Sequence, residues 1–168
     1  MTVVLWVIFG ILFVSFLLIV FRGAPYVPTR ARDLDNLFSL YKFKKRDVLV
    51  DLGSGDGRVL VAAARRGIRS VGYELNPFLV FSSWLQLRKY RTVATVRFAD
   101  FWTTPLPKET AVVFVFLAGP FMKRLDTKLS REAQRLGHDI ILISYGVKLP
   151  GYAPEKTKGG FLVYRFEV

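Results

Sequence analysis

The stretch DVLVDLGSGDGR, residues 47–58, decides the fold of this 168-residue chain. Its first half is a short run rich in Val and Leu, which predicts a buried strand. Three glycines at alternate positions follow, and they predict a tight turn that leads into a helix. Because glycine has no Cβ, its backbone can approach a ligand closely. A strand, a glycine-rich turn and a helix form the first unit of an α/β sheet, in which ligands bind beyond the carboxyl ends of the strands.

The charges of this turn indicate which kind of ligand it binds. Asp51 and Asp56 would repel a pyrophosphate, but they suit the ammonium and sulfonium groups of S-adenosylmethionine. A dinucleotide-binding turn reads Gly-x-Gly-x-x-Gly, whereas Arg58 stands here in place of the third glycine. The Gly-Lys-Ser/Thr of a P-loop is absent from the sequence as well. The turn therefore predicts a cationic nucleoside ligand, with a purely structural glycine turn as the alternative.

Predicted strands and helices alternate along the rest of the chain. Strands are predicted at residues 47–52, 70–74, 95–98, 111–117 and 139–144, with a closing hairpin within residues 145–168. Helices are predicted at residues 29–41, from the glycine turn to Gly67, and at residues 76–89 and 121–136. This alternation predicts a Rossmann-like, doubly wound α/β fold with a mostly parallel, seven-stranded sheet and an antiparallel edge hairpin.

The ends of the second and third predicted strands carry further candidate contacts. Glu74 is placed so that its carboxylate can accept hydrogen bonds from both hydroxyls of a ribose. Asn76 is interpreted as a helix cap, with a ligand contact as the alternative. Asp100 offers a carboxylate to the exocyclic amine of adenine, and Phe101 and Trp102 offer aromatic surface to its ring. The alternative is a turn aspartate followed by two aromatic residues of the core.

The end of the fourth predicted strand is a further candidate ligand site. It is formed by Phe116, Ala118, Gly119, Pro120 and Phe121, with backbone carbonyls near Ala118 and aromatic walls on either side. The two phenylalanines are interpreted, as the alternative, as residues of the core. The sequence offers no evident general base.

The amino-terminal segment has a different character from the rest. Residues 1–21 carry no charge, and 18 of these 21 residues are apolar. A helix of about 20 apolar residues is long enough to cross a bilayer, so the segment predicts a transmembrane anchor. Residues 22–30 are then a juxtamembrane linker, and residues 31–168 are the catalytic domain. Because basic residues follow the anchor, the positive-inside rule predicts a single-pass protein with its carboxyl-terminal domain on the cytoplasmic side, or on the matrix side if the protein is mitochondrial.

The overall composition limits the remaining functions. The chain carries a formal net charge of +12, no cysteine and a single histidine, so no disulfide framework, cysteine thiolate or cysteine-ligated metal is available. The basic clusters are spread over several elements. Solvated surface and contact with anionic lipid headgroups are the two interpretations of this charge. No aromatic-interleaved basic motif stands out, so the pattern does not favour nucleic acid as a partner.

Four segments together resemble a known family. They read PYVPT at residues 25–29, DLGSGDGR at residues 51–58, GYELNP at residues 72–77 and DFW at residues 100–102. This string is similar to that of class I S-adenosylmethionine-dependent methyltransferases. It resembles in particular the membrane-anchored protein-lysine methyltransferases of mitochondria, which methylate the ATP synthase c-subunit or the adenine nucleotide translocase.

The resemblance implies a cofactor, a set of site residues and a function. By this resemblance, S-adenosylmethionine is contacted by Asp51, Gly53, Gly55, Glu74 and Asp100. The full predicted cofactor set adds Tyr26, Ser54, Asp56, Gly57, Leu75, Asn76, Phe101 and Trp102. Tyr26 and Pro28 would close the pocket near the acceptor, so Pro28 joins Phe116, Ala118, Gly119, Pro120 and Phe121 as a predicted substrate contact.

The expected function is transfer of a methyl group to a lysine ε-amine of a membrane protein near the bilayer surface, by an enzyme tethered through its amino-terminal helix. A lipid, quinone or other small-molecule methyltransferase is one alternative. A non-catalytic nucleoside-binding scaffold is another.

Overall fold

A seven-stranded sheet organises the chain in the computed structural model, which describes residues 5–7, 9–10 and 31–168. Its strands are β1 (Val48–Leu52), β2 (Arg69–Glu74), β3 (Ala94–Phe98), β4 (Thr110–Val115), β5 (Ile140–Tyr145), β6 (Lys156–Lys158) and β7 (Phe161–Phe166). They lie in the order β3-β2-β1-β4-β5-β7-β6. The first five strands are parallel, whereas β7 pairs antiparallel with both β5 and β6. The predicted mostly parallel seven-stranded sheet with an antiparallel edge hairpin is therefore confirmed.

Helices cover both faces of this sheet. They are α1 (Leu34–Ser39), α2 (Arg58–Arg65), α3 (Pro77–Leu87) and α4 (Met122–Leu136), with short 3-10 turns at Ala31–Asp33 and Gly119–Phe121. The apolar stripe of α4 is fully buried against one face of the sheet, and α1 and α2 pack on the other face. Because apolar residues recur on one side of α4 at a spacing of three or four, this helix buries one face and exposes its charged face.

The fourth strand is shorter than the sequence predicts. It ends at Val115, and the chain then leaves the sheet toward the 3-10 turn at Gly119–Phe121. An apolar run cannot by itself distinguish a strand from a buried segment that follows it, because both are equally hydrophobic. This early exit puts the predicted acceptor residues on a loop beyond the sheet edge.

No helix among residues 5–7, 9–10 and 31–168 is long and apolar enough to cross a membrane. The longest helix described, α4, has 15 residues and carries charged side chains on its exposed face. This finding contradicts the predicted localisation as a single-pass membrane protein and gives the predicted transmembrane helix no support. Most of the predicted anchor, residues 1–21, and all of the predicted linker, residues 22–30, lie outside the described residues.

The strand order places the candidate site. Strands β1 and β4 are neighbours, and the chain builds outward from them in opposite directions. A crevice opens at such a reversal point beyond the carboxyl ends of the strands. The carboxyl ends of β1, β2 and β4 all lie at this edge, so the glycine turn, Glu74 and the residues after β4 meet there.

Candidate cofactor and acceptor site

The glycine turn after β1 depends on backbone conformations that favour glycine. The φ angles of Gly53, Gly55 and Gly57 are 82°, 55° and 81°. All three lie in the left-handed region, where a Cβ is strained. The amides of Gly53 and Ser54 donate to the Tyr73 carbonyl at 2.9 and 3.1 Å, so β2 holds the start of the turn.

Two of these glycines serve different purposes. A Cβ on Gly53 would meet no atom within 4 Å, so the backbone there faces open space. A Cβ on Gly57 would stand 2.1 Å from the Ser83 Oγ, because α3 packs directly against the turn. Gly53 therefore offers room for a ligand, whereas Gly57 allows the close approach of two elements.

The Glu74 carboxylate ties the end of β2 to this turn. It is 8% exposed, and its Oε2 accepts a hydrogen bond from the Gly55 amide at 2.8 Å. Its Oε1 accepts from the amides of Leu75 and Asn76 at 2.9 and 2.8 Å. A carboxylate has about four lone-pair sites, so these three bonds leave capacity at Oε2 for a further donor. A ribose hydroxyl is a donor of the required kind.

Two buried polar atoms at the turn have no hydrogen-bond partner among the described residues: Asp51 Oδ2 and Ser54 Oγ. Asp51 is 2% exposed. Burial raises the pKa of Asp51 to about 8, and the nearby charges of Glu74 and Asp56 act in the same direction. A buried carboxylate oxygen without a partner is costly, and a cationic ligand would reduce that cost. These residues fit S-adenosylmethionine, which carries cationic groups and no phosphate.

Asp56 is bound by a neighbour within the turn. Its Oδ2 lies 2.9 Å from the Arg58 Nη2, and its Oδ1 accepts from the Arg58 backbone amide at 3.2 Å. The Asp56 carbonyl also accepts from the Gln86 side chain at 2.8 Å, which links the turn to α3. The structure thus directs this carboxylate toward Arg58. A contact between Asp56 and the cofactor stays a prediction.

The segment after β3 forms a turn backed by core aromatics. Asp100 Oδ1 accepts from the Trp102 amide at 2.9 Å. Phe101 and Trp102 are 7% and 9% exposed, and their ring centroids lie 4.6 Å apart in the main core. The Arg124 guanidinium lies 4.3 Å from the centroid of the Trp102 ring. This geometry is that of the alternative interpretation, a turn aspartate followed by two aromatic residues of the core. An adenine contact by these three residues stays a prediction.

The predicted acceptor residues lie together at the same edge, on the loop after β4. The Phe121 amide donates to the Ala118 carbonyl at 3.0 Å and closes the 3-10 turn, in which Gly119 and Pro120 are exposed. The Phe121 ring centroid lies 6.2 Å from that of Trp102. Phe116 is half-buried, and its ring packs edge-on against another aromatic ring at 5.0 Å. Phe116 is therefore held by the core, whereas the 3-10 turn is open to a substrate.

The remaining predicted site residues have these positions. Asn76 caps α3, because its Oδ1 accepts from the amides of Phe78 and Leu79 at 3.0 and 3.4 Å. The Leu75 side chain is half-buried beside it. Tyr26 and Pro28 lie outside the described residues.

Sequence reasoning missed one residue that shapes this site. A Cβ on Gly72, inside β2, would lie 2.5 Å from the Ser54 Oγ and 2.6 Å from the Leu60 side chain. The turn can therefore rest on β2 only because residue 72 is glycine. A glycine in the interior of a predicted strand is the signal that could have found it.

Comparison with known proteins places this geometry among methyltransferases. A model of the ANTKMT methyltransferase domain matches residues 51–156. The ATP synthase c-subunit lysine N-methyltransferase of Homo sapiens is 34% identical over 137 residues, which are 80% of this chain and 57% of that protein. The adenine nucleotide translocase lysine N-methyltransferase of Mus musculus is 40% identical over 111 residues, which are 64% of this chain and 48% of that protein. The chain thus spans about half the length of these relatives.

A more distant relative and a solved structure cover most of their own length. A protein-lysine N-methyltransferase of Saccharolobus islandicus is 26% identical over 137 residues, 79% of this chain and 83% of that protein. The crystal structure of an RNA methyltransferase from Salinibacter ruber in complex with S-adenosyl-L-homocysteine is similar at a TM-score of 0.73 and 28% identity. The similarity covers 84% of this chain and 93% of that chain. These matches confirm S-adenosylmethionine as the predicted cofactor.

Proposed function

Because this chain belongs to the ANTKMT methyltransferase domain family, we propose that it transfers a methyl group from S-adenosylmethionine to the ε-amine of a protein lysine. Membership of the family confirms the resemblance noted from the sequence, and with it the class of enzyme, an S-adenosylmethionine-dependent methyltransferase. The main structural support for the proposal is the pair of buried acidic side chains at the glycine turn. The Asp51 Oδ2 has no hydrogen-bond partner among the described residues, and the Glu74 charge acts on this carboxyl.

Four residues of this chain would hold the cofactor, which when bound supplies an activated methyl group on a sulfonium. Glu74 would accept from a ribose hydroxyl through the remaining capacity of Oε2. Asp51 would face the cationic part, and Gly53 would let the backbone approach it. Asp100, fixed by its bond to Trp102, would accept from the adenine amine.

The acceptor side of the site would orient a lysine and keep water away from it. The 3-10 turn at Gly119–Phe121 would form one wall, with Pro28 as a further contact. Holding an amine in attack geometry can supply about 7–11 kcal/mol of the barrier reduction. An amine that is desolvated next to a positive charge has a lowered pKa, so it can lose its proton without a dedicated base. His138 is the one histidine of the chain, and it precedes β5, at the end of the sheet opposite to the candidate site. It is therefore not placed to act as a base there.

The names of the relatives indicate the class of substrate. They are lysine N-methyltransferases of the ATP synthase c-subunit and of adenine nucleotide translocase. We therefore propose that the acceptor of this chain is a lysine of a membrane protein of this kind.

One observation favours a second candidate, an RNA methyltransferase. The neighbour from Salinibacter ruber has that name, and this chain covers 93% of its length, a larger share than of the lysine methyltransferases from Homo sapiens and Mus musculus. The net charge of +12 is compatible with an RNA partner. Lysine remains the preferred acceptor, because the matched family is the one to which the lysine relatives belong.

A methyl-transfer assay separates these functions. The purified full chain is incubated with S-adenosylmethionine labelled in the methyl group and, in separate reactions, with the purified c-subunit of ATP synthase, with membranes of the source organism, and with total RNA. We expect acid-stable label on lysine in a protein band, identified by mass spectrometry. At S-adenosylmethionine concentrations that do not saturate the variant, Glu74→Gln should strongly reduce the label, whereas Glu167→Gln, which alters an exposed carboxylate near the carboxyl terminus, should not. Label only in RNA would favour the second candidate, and label that extracts into organic solvent would favour a lipid or quinone acceptor. Cofactor binding without turnover would indicate a non-catalytic scaffold.

A further inference from the structure

Helix α3 exposes an apolar face to solvent. Phe78, Phe81, Trp84 and Leu85 are 71%, 61%, 48% and 42% exposed, and their spacing of three and four residues puts them on one side of the helix. The rings of Phe81 and Trp84 stack with centroids 6.3 Å apart. We call these four residues the α3 face.

The exposure is concentrated rather than scattered. Within residues 31–168, seven large hydrophobic side chains are exposed. Four of them form the α3 face, and a fifth, Phe98, lies on the neighbouring strand β3. The other two, Tyr152 and Val168, lie in the carboxyl-terminal part of the chain. Single exposed hydrophobic residues are ordinary, whereas a contiguous apolar patch indicates a surface that binds something.

The charge around the α3 face is predominantly positive. Residues 59–99 contain seven Lys and Arg residues and a single acid, Glu74, which is buried in the cofactor site. The exposed cations of this region are Arg65, Arg66, Arg69, Arg88, Lys89, Arg91 and Arg97. Three of them, Arg88, Lys89 and Arg91, follow the last turn of α3, and the Arg91 guanidinium lies 4.7 Å from the centroid of the Trp84 ring. Two acids lie just outside this range, Asp56, which is paired with Arg58, and the half-buried Asp100. An apolar face bordered mainly by cations is complementary to an apolar surface bordered by anions.

We propose that the α3 face docks on the surface of an anionic lipid bilayer. A helix with Trp, Phe and Leu on one side and cations beside them lies in the interface, with its apolar face among the headgroups and acyl chains. The cations then meet anionic headgroups. A nucleic acid is the weaker fit, because the cations cluster after the helix instead of alternating with the aromatic rings. The contact involves the folded domain alone and requires no segment to cross the bilayer.

Docking of this face would also set the position of the candidate site relative to the bilayer. Helix α3 starts at Pro77, directly after Glu74 and the Asn76 cap, and Phe78 lies in its first turn. The amino-terminal end of the α3 face is therefore adjacent to the edge of the sheet that carries the cofactor turn. If the acceptor is a membrane protein, as in the proposed function on which this step rests, docking would bring the site toward the bilayer in which the acceptor lies. The docking itself does not depend on the identity of the acceptor.

Fluorescence of Trp84 tests the contact at the α3 face itself. The experiment uses the full chain with the substitution Trp6→Phe. Trp84 is then the exposed tryptophan, since Trp102 is only 9% exposed. Vesicles of brominated phosphatidylcholine, with or without phosphatidylglycerol, serve as quenchers. We expect quenching of Trp84 by the vesicles that contain phosphatidylglycerol and much less by phosphatidylcholine alone. Trp84→Phe in the same background should remove the quenched emission.

Matched charge variants decide whether the cations beside the α3 face are responsible. Removing the three cations together, by Arg88→Gln, Lys89→Gln and Arg91→Gln, should raise the lipid concentration at half-quenching by about tenfold or more. The control variant combines Lys42→Gln, Lys44→Gln and Lys45→Gln and removes the same charge from exposed positions before β1. It should leave the lipid concentration at half-quenching unchanged.

Several outcomes would overturn the docking: absent quenching, equal quenching by both lipids, or an equal shift in the two triple variants. So would Trp84 quenching by single-stranded RNA in the absence of any vesicle response, which would indicate a nucleic-acid surface. Methylation of the purified c-subunit is scored without vesicles, so failure of the docking and failure of the proposed function are distinguishable.

Discussion

The Oε2 atom of Glu74 lies 2.8 Å from the amide nitrogen of Gly55 and accepts its hydrogen bond. Two residues separated by 19 positions in sequence thus join the end of β2 to the turn after β1. The bond is charge-assisted, and such bonds are stronger than those between neutral groups. The same carboxylate therefore shapes the turn and is the group that, in the proposed function, accepts from a ribose hydroxyl.

Glu74→Gln should weaken cofactor binding. Gln lacks the charge that strengthens the bond to Gly55, and its NH₂ cannot accept from the amides at the end of β2. Hydrogen bonds to charged groups contribute about 1.5–3 kcal/mol, so we expect a loss of affinity for S-adenosylmethionine of roughly 10- to 100-fold. Calorimetric titration measures it, with Glu167→Gln as the control that should bind like the parent. Unchanged affinity in Glu74→Gln would remove Glu74 from the site.

Stability should fall between about pH 4 and pH 8 because of Asp51. The pKa of this carboxyl is raised from 3.8 to about 8, first by burial and then by Glu74 and Asp56. The folded state therefore binds a proton that the unfolded state releases above pH 4, and raising the pH through this window favours unfolding. Asp51→Asn cannot titrate, so its stability should decline less over the window. Urea unfolding at pH 5, 6.5 and 8 measures the free energy of unfolding of the two proteins. An equal decline with pH in both proteins would refute the raised pKa of Asp51.

His138 should contribute a pH dependence of its own. Its Nδ1 lies 3.0 Å from the Asp139 carbonyl and its Nε2 lies 3.0 Å from the Lys108 carbonyl. Only the imidazolium can donate at both nitrogens, and these backbone bonds, with the Lys108 bond the largest cause, raise the pKa of His138. The stabilisation is fully present below the ordinary pKa of about 6.5 and is lost as the pH rises through the higher folded-state value. An NMR titration of the ring should report a raised pKa, and His138→Gln should lose the stabilisation at low pH. A midpoint at or below the ordinary value would contradict the two contacts.

Gly57→Ala should destabilise the fold more than Gly53→Ala. The two glycines have φ angles of 81° and 82°, so both variants incur the left-handed strain of about 1–2 kcal/mol. Only at residue 57 would the new Cβ meet the Ser83 Oγ, at 2.1 Å, which adds an overpacking cost of about 1–3 kcal/mol. Adding Ser83→Ala to Gly57→Ala should recover part of this excess. Chemical unfolding measures all three variants, and equal losses at residues 53 and 57 would show that α3 does not pack on the turn.

The sequence predicted those parts of the site that follow from topology. Glu74 and the glycine turn could be brought together from sequence, because the carboxyl ends of neighbouring parallel strands meet at one edge. The five parallel strands followed from the alternation of apolar runs with helical patterns, and the closing hairpin was predicted separately within residues 145–168. The left-handed φ angles at residues 53, 55 and 57 agree with the choice of glycine there.

Side-chain directions could not be predicted in the same way. Nothing in the spacing indicates that Asp56 turns to Arg58, or that Phe101 and Trp102 pack into the core instead of lining a surface. These outcomes depend on tertiary neighbours, such as Arg124 over the Trp102 ring. The sequence indicates only an ordinary helix at the α3 face, because a periodic pattern does not reveal which face another element covers.

Calorimetric titration of the purified chain with S-adenosylmethionine tests the central claim most directly, with NAD and ATP titrated in parallel. Saturable binding of S-adenosylmethionine alone is expected, together with a marked loss in Glu74→Gln and a normal response in Glu167→Gln. A chain that leaves S-adenosylmethionine unbound, yet takes up NAD or ATP, would contradict the account.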